Sequence, residues 1–160
     1  MLPRINQREV ERIMREGSEE EQREVSALLA EYDQIITDNP LEVFDPYEKQ
    51  KAFLSAREPT KAFFGGNRAG KTEVGIVDDL IQAVDAEALP QRLRRFKRWE
   101  PPFYCRVIAP DFTSTMEGVI FQKLREWAPR HELHGGSWEK AYDKQRRLLR
   151  FRNGSRFDFL

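Results

Sequence analysis

The chain has 160 residues, 27 basic and 27 acidic side chains, and one cysteine. An internal disulfide is therefore excluded, and no run approaches the ~20 apolar residues that cross a bilayer. The N-terminus turns acidic within a few residues and lacks the apolar core of a signal peptide, so a cytoplasmic protein with no membrane partner is expected.

The net charge of zero conceals a segregation. Residues 1–38 hold ten acidic and five basic side chains, residues 91–98 five basic and no acidic, and residues 144–156 six basic and no acidic. Local patches set the local field, so neutrality does not exclude a polyanionic partner.

In chain order, residues 7–15 and 19–36 read as helices. Val10, Ile13 and Met14, then Val25, Leu28, Leu29, Tyr32 and Ile36, follow helical spacing. Gly17-Ser18 separates the two, with Ser18 and Glu21 placed as a capping box. Asn39-Pro40 ends this segment, and a packing or assembly role suits it better than a catalytic one. The expected division is residues 1–40 helical and 41–160 a second unit.

Asp45-Pro46 opens a helix that runs through Leu54. Residues 61–64 read as a short strand, residues 72–84 as a helix, and residues 90–102 as a basic, Pro-bounded loop. The dense apolar run 103–109 suits a buried strand, and residues 113–127 an amphipathic helix. No period marks residues 131–143. Residues 147–160 read as a hairpin around Asn153-Gly154. A two-residue turn would put Leu149 and Phe151 on the face opposite Phe157 and Phe159. A three-residue loop gathers all four on one face, so a loop of 152–154 or 153–155 is expected. Strands alternating with helices indicate an α/β fold.

Gly65-Gly66-Asn67-Arg68-Ala69-Gly70-Lys71-Thr72 matches G-x-x-x-x-G-K-[ST] in full. Glycines let the backbone curl so that N–H groups converge on one concavity, and the following helix adds the positive end of its dipole. Lys71 suits the β- and γ-phosphates, and the Thr72 hydroxyl suits Mg²⁺. A P-loop ATPase further needs an acidic residue at the end of a second strand. The nearest candidate, Val107-Ile108-Ala109-Pro110-Asp111, is interrupted by Pro110. Val77-Asp78-Asp79 falls on the helix after the loop. The expectation is that the sequence stops before the acidic strand and that the chain alone hydrolyses ATP poorly.

Four segments in this order resemble the ATPase half of tailed-phage terminase large subunits. They are Phe44-Asp45-Pro46-Tyr47-Glu48-Lys49-Gln50-Lys51-Ala52-Phe53, the P-loop with its internal arginine, Arg106-Val107-Ile108-Ala109-Pro110-Asp111, and Arg150-Phe151-Arg152-Asn153-Gly154-Ser155-Arg156-Phe157. The resemblance implies a RecA-like P-loop NTPase with a parallel sheet flanked by helices, incomplete at its C-terminus. It implies ATP and Mg²⁺ as cofactors, duplex DNA as substrate, portal and small terminase subunit as partners, and homo-oligomers in the assembled motor. It gives Gln50 the adenine edge, with Tyr47 or Phe44 stacking nearby, and Arg68 the γ-phosphate beside Lys71. The C-terminal nuclease domain of that family has no counterpart in these residues. Two other readings stand beside it: another P-loop enzyme, such as a helicase or nucleotide kinase, and a non-catalytic module docking through its acidic helices. The basic and aromatic residues 92–99 suit either nucleic-acid backbone or a solvated loop. His131 and His134 lack ligand-spaced companions, and Cys105 reads as a core residue.

Overall fold

A computed structural model describes residues 6–66 and 69–160. Helix α1 spans Gln7–Glu16 and α2 spans Glu19–Asp38. Between them Ser18 and Glu21 form the reciprocal cap that the sequence predicts, with Ser18 N–H donating to Glu21 Oε2 at 2.8 Å. Gly17 is required there, because a Cβ would lie 2.6 Å from the Ile13 carbonyl oxygen. No residue of α2 is fully buried. The pair is fixed to the rest of the chain near the end of α2, where Asn39 Nδ2 donates to Ala88 O at 2.8 Å and Leu41 is fully buried.

Helix α3 is Glu48–Ser55 and α4 is Lys71–Ala83. A single helical turn, α5, covers Gln91–Arg94. Strand β1 is Tyr104–Val107. Asp111 then caps a wide π-helical stretch, Phe112–Ile120, which runs on into α6, Phe121–Trp127. Short helical turns and α7, Trp138–Ala141, occupy the segment without a period. Strands β2 (Tyr142–Asp143), β3 (Leu148–Arg150) and β4 (Arg156–Phe159) complete a sheet of order β1-β4-β3-β2.

That sheet is mixed. Only β1 and β4 run parallel, and β2–β3 and β3–β4 are antiparallel. The expected parallel P-loop sheet is thus represented by one pair. The expected strand at 61–64 has an extended, irregular backbone and belongs to no ladder. A strand exists only through a hydrogen-bonded neighbour, and β1 pairs on one side alone, with β4. The run 103–109 also departs from the expected two-sided burial. Tyr104 and Ile108 are 62% and 73% exposed, while Cys105 and Val107 face the core.

The hairpin has the three-residue loop. Leu149 pairs with Phe157 and Arg150 with Arg156, and Phe151 N–H donates to Ser155 O at 2.9 Å. Gly154 takes the left-handed position of the loop, at φ +87°. Leu149, Phe151, Phe157 and Phe159 accordingly line one buried face. Phe159 meets Phe121 of α6 edge to face at 4.8 Å. Val74, Val77, Leu80 and Ile81 of α4 are fully buried in the same core. Each such side chain contributes about 1.5–3 kcal/mol on burial, so the core fixes where α4 begins and hence where the glycine loop ends.

Candidate nucleotide site

Helix α4 needs a start, and Gly70 provides it. Its φ of +63° and ψ of 22° are left-handed, a conformation that disfavours any residue bearing a Cβ. The Gly70 carbonyl accepts the first helical bond, from Val74 N–H at 3.0 Å. Lys71 is the first helical residue, and its ammonium folds back over the loop to donate to Gly65 O at 2.8 Å and Gly66 O at 2.7 Å. Ala69 N–H closes a turn onto Gly66 O at 3.4 Å. Thr72 is exposed on the first turn. Asn67 and Arg68 lie outside the described residues, so the γ-phosphate role expected of Arg68 has no geometry here.

Helix α3 borders this loop. Tyr47 is 44% exposed and its hydroxyl donates to Ala69 O. Gln50, in contrast, is 2% exposed. Its Oε1 accepts the Tyr47 N–H at 3.2 Å, and its Nε2 donates to Gly70 O at 3.4 Å. The structure thus brings Tyr47 and Gln50 to the glycine loop and places the Gln50 amide against loop backbone.

A buried ionic cluster behind the loop had no sequence signature. Asp78 of α4 accepts from Lys61 Nζ at 2.5 Å and from Arg98 Nη2 at 2.8 Å. All three side chains are at most 14% exposed. Lys61 also donates to Phe53 O at 3.3 Å, and Arg98 Nη1 to Leu54 O at 3.2 Å. One carboxylate therefore ties the chain entering the loop, the helix leaving it and the end of α3. Charge-assisted bonds of this kind are shorter and stronger than neutral ones, and losing one partner strands a buried charge. Asp79, the next residue, is pushed up to about 7 by burial and then by the neighbouring Asp78 charge, while the Cys105 thiol it contacts is raised, chiefly by burial.

The basic run 91–98 is mostly spent inside the protein. Arg92 donates to the carbonyls of Leu41, Glu42 and Phe44, and Arg94 to that of Leu89. Lys97 Nζ donates to Ile81 O, Gln82 O and Val84 O at 3.1, 3.1 and 2.7 Å. This places a cation on the carbonyl end of α4, where the helix dipole favours it. Burial pulls the Lys97 ammonium below the usual lysine range.

The second basic run stays wet. Lys144, Arg146, Arg147, Arg152 and Arg156 are exposed. Arg156 lies over the Tyr104 ring at 4.6 Å, and Arg150 reaches Asp143 Oδ2 at 3.2 Å. Asp111, the nearest sequence candidate for a magnesium-holding acid, caps the π-helical stretch instead. Ser114 and Thr115 hydroxyls and amides donate to it and hold its carboxyl well below the usual range. His131 Nδ1 sits 3.3 Å from Asp38 O. Among the described residues no group of three or more His, Cys, Asp or Glu side chains could hold a metal ion, and no helix is long and apolar enough to cross a membrane. Comparison with protein-family models, curated proteins and solved structures finds no match.

Proposed function

We propose that residues 65–72 bind the polyphosphate of ATP and that the chain is the nucleotide-binding portion of a DNA-packaging ATPase of the terminase large-subunit kind. One observation carries the first part. A left-handed Gly70 starts a long, well-packed helix whose first side chain, Lys71, already folds back onto the Gly65 and Gly66 carbonyls. A phosphate entering the loop replaces those carbonyls as the partner of a full ammonium charge, which favours exchange. The N–H groups of the first α4 turn, which have no partner within the helix, add the positive end of its dipole. The donor set fits a magnesium-nucleotide: an ammonium for β- and γ-oxygens and the exposed Thr72 hydroxyl for the cation. Bound Mg²⁺ would screen the triphosphate charge. Lys71 would orient the phosphates, and Arg68 is assigned to the γ-phosphate by resemblance.

The packaging reading is supported by the order of the four resembling segments and by the exposed basic face near the hairpin, which suits a duplex backbone. The alternative of another P-loop enzyme shares the loop and differs in what DNA does to it. The test is a titration of fluorescent ATP with Mg²⁺, alone and with duplex DNA. Lys71→Ala is expected to weaken binding at least tenfold, and DNA is expected to tighten it. Equal affinity of wild type and Lys71→Ala removes the nucleotide site. Indifference to duplex DNA favours the other P-loop enzymes.

A further inference from the structure

Gln50 combines near-complete burial with two backbone contacts, and this suggests a task other than reading a base. We infer that Gln50 is a positioning residue that aims the amides of the glycine loop at phosphate, and that it sets triphosphate affinity without choosing the base. The inference rests on the nucleotide reading above.

Two consecutive loop carbonyls are held from outside. The Tyr47 hydroxyl binds Ala69 O, and Gln50 Nε2 binds Gly70 O at 3.4 Å. In a trans planar peptide the C=O and the following N–H point in opposite directions. Anchoring Ala69 O on α3 therefore turns the Gly70 N–H away from α3, while Gly70 O, held by both Gln50 and the Val74 N–H at 3.0 Å, turns the Lys71 N–H away from the body of α4. The anchor is itself fixed, because Gln50 Oε1 accepts the Tyr47 N–H at 3.2 Å. The fit is close. A Cβ at residue 70 would lie 2.7 Å from Gln50 Nε2, so the loop backbone rests directly on the amide. Reading adenine takes a free donor and a free acceptor on one amide edge. At 2% exposure, with both ends engaged, Gln50 presents neither. Tyr47, 44% exposed beside the same loop, is the side chain left to face a base.

The test compares ATP, GTP and inorganic tripolyphosphate, each with Mg²⁺, on wild type and Gln50→Ala. Loss of one loop-orienting hydrogen bond corresponds to about a two- to tenfold weakening. The expected result is that loss for all three ligands alike, measured at a temperature where the variant remains folded, with shifted Gly70 and Lys71 amide resonances in the free protein. Should Gln50→Ala melt early, Tyr47→Phe removes only the hydroxyl bond to Ala69 O and is expected to show the same uniform loss for tripolyphosphate. A selective loss of ATP, with GTP and tripolyphosphate unchanged, makes Gln50 a base reader and overturns the inference. Unchanged affinity for all three ligands overturns it as well. Wild-type protein that binds none of the three overturns the nucleotide reading, a different failure.

Discussion

Residues 91–98 and 144–156 carry five and six basic side chains, with no acidic one, and use them in different ways. In the first, Arg92, Lys97 and Arg98 reach carbonyls or a buried carboxylate and serve as internal fasteners. In the second, Lys144, Arg146 and Arg152 lie in turns outside the ladder and are exposed. The difference lies in the acceptors nearby. The first run passes the open carbonyl end of α4 and the buried Asp78, whereas the second meets partly exposed partners at the surface, Asp143 for Arg150 and the His131 carbonyl for Arg152. A basic run in a sequence therefore marks a binding face only where the fold does not draw it into buried acceptors.

Substitutions can break this contrast. The largest effect is expected for Arg98→Ala, which leaves Asp78 buried with Lys61 as its remaining charged partner. A loss of about 3 kcal/mol is expected from stranding a buried charge, read by urea denaturation. A loss below about 0.5 kcal/mol would show the cluster to be dispensable. Lys97→Ala removes the three-carbonyl cap of α4 and should cost about 1–2 kcal/mol, checked in the same way.

Asp79 offers a pH test of the region behind the loop. Its folded pKa, raised to about 7, exceeds the unfolded value near 3.9. Between these values the folded state binds the extra proton, so its contribution to stability falls as pH rises from about 4 to 7, by at most ~1.4 kcal/mol per pH unit. Above pH 7 the contribution is lost and the slope ends. Asp79→Asn should flatten that slope relative to wild type, and an unchanged slope would place the titration elsewhere. The smallest effect belongs to the exposed run. Lys144→Ala with Arg146→Ala should alter stability by no more than about 0.5 kcal/mol.

Much of this was legible in the sequence, for identifiable reasons. The Ser18–Glu21 cap is local chemistry within one turn. The α4 core face is a 3.6-residue period, and the hairpin loop length follows from the odd numbering of four apolar residues. The glycine motif is contiguous in the sequence, and the left-handed Gly70 that starts α4 is the part of it that the fold displays. The misses are all long-range. Nothing near Asp78 in sequence announces Lys61 and Arg98, 17 and 20 residues away. The strand expected at 61–64 had the composition of a strand and lacked a partner, which no local pattern can report. The resemblance gives Gln50 the adenine edge, whereas its burial against Gly70 depends on how α3 packs, which no local pattern reports.

The central claim, that the glycine loop takes the triphosphate, is tested most directly by following backbone amide resonances as Mg·ATP is added. The account predicts that the amides of residues 65–72 shift first and farthest, those of Gly70, Lys71 and Thr72 most of all, and that Lys71→Ala abolishes these shifts at the same concentrations. Largest shifts among residues 144–156, with the loop unmoved, would show ATP acting as a polyanion on the exposed arginines and would contradict the claim.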